Sequence, residues 1–80
     1  MLTEIRLPQW GMEMRDGTVV AWKRSVGDTV EEGDILAEVE TAKVVGEVIA
    51  PCSGVLAQIL VPEGETVPIS TVLAMIDEPD

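Results

Sequence analysis

The sequence predicts an all-β domain: a flattened barrel or sandwich of two small antiparallel sheets, packed face to face and related by a pseudo-twofold axis. Three observations predict it. The chain repeats itself, since Gly17 to Glu40 aligns without a gap with Gly54 to Asp77 at an offset of 37 residues. The match is plainest in Gly27-Asp28-Thr29-Val30 against Gly64-Glu65-Thr66-Val67. Two copies are too few to stack as a solenoid, so they read as two similar half-domains. Turn signals at Asp16-Gly17, Gly27-Asp28, Gly33-Asp34, Pro51 to Gly54, Glu63-Gly64 and Pro68 cut the chain into runs of strand length, and no window carries a long helical period. Finally, the chain has no Phe and no Tyr, so the core must come from Val, Ile, Leu and Ala with Trp10 and Trp22. β-Branched residues suit a pleated surface.

The elements follow in order. Glu4 to Leu7 reads as the first strand, and Gln9 to Asp16 as a surface loop after it. Thr18 to Trp22 is the second strand. Ile35 to Thr41 is the third, alternating with Ile35, Ala37 and Val39 on one face and Glu38 and Glu40 on the other. Val44 to Ala50 is a strand of ambiguous facing, because Val45 and Ile49 share the phase of Glu47. Val55 to Val61 and Val72 to Ile76 repeat the second and third strands. Gly17, Gly27, Gly33, Gly54 and Gly64 read as structural turn positions. Trp22 is assigned to the core because its repeat mate is Ile59. Offset by 37, Glu4 to Leu7 falls on Thr41 to Val44, which puts the turn at Lys43 at the end opposite both termini. A single domain is expected over 1–80, with a core over about 3–77 and 78–80 as a tail or the start of a linker.

Composition narrows the function. With 15 acids against 5 bases the net charge is −10, which disfavours nucleic acid and anionic membrane as partners. No apolar run reaches the ~20 residues of a membrane span, and no targeting segment is seen. The expected location is a bacterial cytoplasm or a mitochondrial matrix. Cys52 is the single cysteine and reads as a bland turn residue; with no histidine and no second cysteine, no metal site and no His-based catalytic group is expected.

Lys43 is one of two lysines. It stands between two strands, where Glu40, with Glu38 and Glu47, is expected beside it. Such a lysine is a passive anchor, lacking the desolvated pocket that makes a lysine a nucleophile.

At these residues the chain resembles the lipoyl/biotinyl attachment domains, most of all the lipoyl domains of 2-oxo acid dehydrogenase acyltransferases. The resemblance runs through Leu7 to Met14 with Asp16 to Val19, Trp22 to Asp34, the attachment motif at Glu40, Thr41 and Lys43, Ala50-Pro51, Gly54 to Leu56, and Ile59 to Val67. Glycines stand 16 residues before Lys43 and 11 after it, as in the family. One position departs: the family usually has Glu-Thr-Asp-Lys-Ala, whereas here Ala42 precedes and Val44 follows the lysine.

The resemblance implies a barrel-sandwich hybrid fold and lipoic acid in amide linkage at Lys43, with no catalytic residue in the domain itself. Glu40, Thr41, Ala42 and Val44 would form the recognition surface of the turn, and Gln9, Trp10, Met12 and Glu13 a loop that contributes to choice of decarboxylase. From the residues alone, Trp10 packs over the sheet edge and Met12 fills a gap, or both are exposed contacts. The implied partners are a lipoate ligase or lipoyl transferase, a thiamine-dependent 2-oxo acid decarboxylase, an acyltransferase and dihydrolipoamide dehydrogenase. A biotin carrier shares the fold, but its lysine is normally flanked by methionines. An unmodified structural module, as in the membrane-fusion proteins of export pumps, has a helical hairpin in place of the short turn.

Overall fold

The computed structural model describes residues 1–79; Asp80, the last residue of the expected tail, lies outside the described residues. Among the described residues there are eight strands: β1 (Leu2–Arg6), β2 (Asp16–Trp22), β3 (Thr29–Val30), β4 (Ile35–Glu40), β5 (Val45–Ile49), β6 (Gly54–Ile59), β7 (Thr66–Pro68) and β8 (Val72–Asp77). They form two four-stranded antiparallel sheets, ordered β1-β8-β6-β3 and β5-β4-β2-β7. The predicted class therefore holds. β3 and β7 add to the six expected strands. Each is only two or three residues long and follows a glycine turn, so neither shows alternation, yet they are repeat mates and occupy matching edges.

The repeat governs the sheets in detail. β2 matches β6, β4 matches β8 and β3 matches β7 at the 37-residue offset. β1 does not follow that offset. It takes the place of β5, because Glu4 lies opposite Met75 as Glu47 lies opposite Glu38, and Ile5 lies opposite Ala74 as Val48 lies opposite Ala37. The expected overlay of Glu4 to Leu7 on Thr41 to Val44 is thus corrected. In one half-domain a turn joins β4 to β5; at the matching place in the other, β8 and β1 are the two ends of the chain.

Buried apolar residues fill the space between the sheets. Val19 faces inward like its mate Leu56, Leu36 like Leu73, Ala37 like Ala74, and Val39 like Ile76. Ile5 of β1 and Leu7 just beyond it match Val48 of β5 and Ala50 just beyond that strand. Among the described residues no polar or charged side chain is buried, so the core asks for no internal polar partners.

Alternation alone misplaces one face. Ile35 is exposed while Leu36 and Ala37 are both buried, because the β4–β5 register jumps between Ile35 and Ala37. Such a bulge adds one residue and flips the side-chain phase. β8 shows the same jump against β1. The bulge also settles β5: Val45, Glu47 and Ile49 point outward on an edge strand, and Val48 points in.

Gly17 and Gly54 are not turn residues. They sit in β2 and β6, where a Cβ on Gly17 would lie 2.6 Å from Val39 Cγ1 and one on Gly54 would strike the Asp77 carbonyl oxygen. Gly27, Gly33 and Gly64 do turn the chain, each with φ above 90°. Trp22 is half-buried at the core margin, where its indole N–H reaches the Val61 carbonyl at 2.8 Å. A fully buried indole needs such a partner; at the margin one suffices. Glu78 is not a free tail: its carboxylate accepts from Thr3 Oγ1 at 2.6 Å and its amide donates to the Met1 carbonyl.

Candidate functional site

The turn that carries Lys43 is held by Thr41. The Thr41 amide donates to the Val44 carbonyl at 2.8 Å, and the Thr41 hydroxyl donates to the same oxygen at 2.9 Å. That hydroxyl in turn accepts from the Val44 amide at 3.1 Å and, more loosely, from the Lys43 amide at 3.4 Å. A threonine side chain closing its own turn in this way frees the intervening residues from backbone pairing. Ala42 and Lys43 are consequently exposed, and the side chain of Val44, whose backbone closes the turn, is exposed beside them.

The turn lies at the end of the molecule away from the termini. β1 begins beside Asp77 and ends at Arg6, whose guanidinium donates to the Ser70 carbonyl. The preceding residue, Ile69, donates from its amide to the Arg15 carbonyl, and Thr18 pairs with Glu40 at the foot of the turn. The full length of β1 therefore separates Met1 from Lys43.

The loop between β1 and β2 folds against this turn. Gln9 donates from Nε2 to the carbonyls of Met12 and Met14, at 3.3 and 3.4 Å, and Met14 Sδ receives the Trp10 amide. Met14 anchors the loop to the core, while Met12 is 98% exposed and fills no gap. Trp10 covers Gly46 on β5: a Cβ there would lie 2.6 Å from the ring carbons Cη2 and Cζ3. Trp10 thus packs over the sheet edge and keeps 39% of its surface exposed. Gly46 was open to sequence reasoning, since a glycine inside a strand signals a close approach.

The ion pair of Lys43 comes from this loop. Lys43 Nζ lies 2.7 Å from Glu13 Oε2, and both side chains are about four-fifths exposed (77% and 80%). Glu13 therefore takes the place expected of Glu38, Glu40 and Glu47. Glu38 pairs instead with Lys23 at 3.0 Å, because side chains alternate and Glu38 stands on the strand rather than on the turn. Of the residues singled out from sequence, Trp10, Met12, Glu13, Thr41, Ala42, Lys43 and Val44 line one open groove. Gln9 supports it from within the loop, and Glu40 stands at its foot.

Cys52 lies at the other end. Burial, then hydrogen bonding to the Glu78 carboxylate, pushes its thiol pKa up, so it is a poor thiolate.

A family model described as "Biotin-requiring enzyme" (biotin/lipoyl) matches residues 3–76. The chain is 42% identical over its whole length to the dihydrolipoyllysine-residue acetyltransferase component of the pyruvate dehydrogenase complex of Staphylococcus epidermidis, and 41% identical to that of Staphylococcus aureus. It spans only 18% and 19% of those relatives. In structure it is similar to the lipoyl domain of the 2-oxoglutarate dehydrogenase complex of Azotobacter vinelandii, with a TM-score of 0.78 and 35% identity, over 96% of this chain and 98% of that one. A single-chain, multi-domain long-chain acyl-CoA carboxylase shares the fold at a TM-score of 0.79 and 23% identity, covering 99% of this chain and 7% of that one.

Proposed function

The chain belongs to the biotin/lipoyl attachment family, and from that premise we propose that it is a lipoyl carrier domain whose Lys43 bears lipoic acid in amide linkage. One observation supports this most: the Lys43 amine stands exposed on a threonine-closed turn, a strand's length from the termini. An attachment point needs that placement, because the tether and the working group must not interfere. The side chain fits an amide-linked arm, since nothing buried holds its nitrogen.

When bound, a lipoyl group supplies a dithiolane able to carry acyl groups and reducing equivalents. The chain's own residues do simpler work. Thr41 fixes the turn, Ala42 and Val44 keep its flanks small and exposed, and Trp10 on Gly46 fixes the neighbouring loop. Tethering raises the local concentration of the working group at each partner site. In this reading the domain is a non-catalytic carrier. It is modified by a lipoate ligase or transferase and serviced by a thiamine-dependent 2-oxo acid decarboxylase, an acyltransferase and dihydrolipoamide dehydrogenase. The names of the relatives favour lipoic acid over biotin, as do Ala42 and Val44 where a biotin carrier has methionines.

The test is intact mass after co-expression with a lipoate ligase and lipoic acid. The expected result is one added lipoyl group, lost in Lys43→Arg with the fold retained. An unchanged mass, under conditions that modify a control lipoyl domain, rejects the carrier reading. A biotinyl mass after co-expression with a biotin ligase selects biotin.

A further inference from the structure

The Glu13–Lys43 ion pair ties the β1–β2 loop to the attachment turn, and the packing of Trp10 on Gly46 ties the same loop to β5. The two ties differ chemically. The Trp10 contact is indifferent to what happens at the Lys43 nitrogen. The Glu13 contact depends on its charge. Among the described residues Lys43 is the ion-pair partner of Glu13, and no other cation is placed on that carboxylate.

We propose that Glu13 reads the modification state of Lys43: it is engaged by the free ammonium and released as an exposed acid once the nitrogen is acylated. This rests on Lys43 being the attachment point, but not on the identity of the acyl group. In the acylation, Nζ attacks the carbonyl carbon of an activated donor, an acyl adenylate or thioester. The ammonium first gives one proton to a solvent base, a new N–C bond forms, the leaving group departs with its bonding pair, and the nitrogen gives its second proton to the leaving group or to solvent. The product is a neutral secondary amide with a single N–H. The positive charge that held Glu13 is gone, and the chain gains one net negative charge at the groove.

Two consequences follow. In the unmodified chain Glu13 competes with the modifying enzyme for the lysine. In the modified chain Glu13 offers its carboxylate, beside the exposed side chains of Met12 and Val44, to a basic side chain of whichever partner services the arm. Unmodified and modified domains thus present different charge at the same loop without any change of fold. The pair is exposed, so the competition is modest, on the order of two- to fivefold.

The experiment is a double-mutant cycle on the whole chain. Backbone amide spectra are recorded for wild type, Glu13→Gln, Lys43→Gln and the double variant, with Lys43→Gln standing in for the neutral, acylated nitrogen. Lys43→Gln is expected to shift the amides of Met12, Glu13 and Met14, and that response is expected to vanish in the Glu13→Gln background. An equal response in both backgrounds, or none in wild type, overturns the proposal. A second readout uses a small acylating reagent, the N-hydroxysuccinimide ester of acetic acid, at limiting dose. Peptide mass analysis is expected to show a two- to fivefold rise in labelling of Lys43 relative to Lys23 in Glu13→Gln; an unchanged ratio overturns the proposal. Neither readout requires a lipoyl group, so failure here is separate from failure of the lipoyl-carrier reading.

Discussion

Ser70 holds the backbone conformation that Gly33 holds 37 residues earlier: φ is 70° at Ser70 and 94° at Gly33. The repeat demands a left-handed residue before β4 and again before β8, and only the first copy supplies glycine. Ser70 is kept there by its backbone, which donates to the Leu7 carbonyl and accepts from Arg6.

A left-handed non-glycine residue costs roughly 1–2 kcal/mol, partly offset by the extra unfolded-state freedom of glycine, about 0.5–1 kcal/mol. Ser70→Gly is therefore expected to stabilise the domain by about 0.5–1 kcal/mol, raising Tm by several degrees. Gly33→Ser should lower it. Thermal melts of the two variants decide the matter; a lower Tm for Ser70→Gly contradicts the assignment.

Thr41 closes the attachment turn through one hydroxyl. Thr41→Ala is expected to cost about 1 kcal/mol and to speed amide exchange at Val44, whereas Thr41→Ser keeps the hydroxyl and most of the stability. Urea unfolding and hydrogen exchange measure both. If serine is as damaging as alanine, the hydroxyl is not what holds the turn.

Gly46 leaves room for the Trp10 ring. Gly46→Ala places a methyl within 2.6 Å of ring carbons, and the half-exposed indole is the mobile partner. The expected outcome is a red shift of Trp10 emission, read in a Trp22→Phe background, with a stability loss of about 1 kcal/mol. In a Trp10→Ala background Gly46→Ala should cost little, since the clash is gone. A full cost there would place the obstacle elsewhere.

Glu78 and Cys52 give the fold a local pH dependence. The Thr3 hydroxyl, then the Cys52 thiol, hold the Glu78 pKa below its ordinary value of 4.5. Its contribution is therefore complete above that value and is lost as pH falls through the lower folded value. The Cys52 thiol is shifted the other way, above its ordinary 9.0, by burial and then by Glu78. Its contribution is complete below 9.0 and is lost as pH rises through the folded value. Relative to Glu78→Gln, the wild type should lose stability selectively below pH 4.5, and relative to Cys52→Ser selectively above pH 9.0. Parallel curves for variant and wild type would show that neither group is coupled to folding.

Much of the fold was legible because its causes are local or repeated. Gly27 and Gly64 announce the same turn twice. Leu36 with Leu73 and Ala37 with Ala74 mark the same repeat. The inward face of β4 was not legible, because the extra residue at its bulge shows only when Ile35 and Ala37 are set against β5. The placement of β1 failed for a related reason: it matches β5 through sheet order rather than through an unbroken offset.

At the candidate site, periodicity and repetition suffice for the class of fold, for the turn between β4 and β5, and for the exposure of Lys43 upon it, since strand propensity and turn chemistry act over a few residues. The ion-pair partner of Lys43 was decided by the packed structure. Glu13 lies 30 residues away in sequence, and it arrives only because Met14 anchors its loop in the core and Trp10 seats on Gly46. Nearer acids lost the contact because a strand alternates its side chains, so closeness along the chain did not become closeness in space.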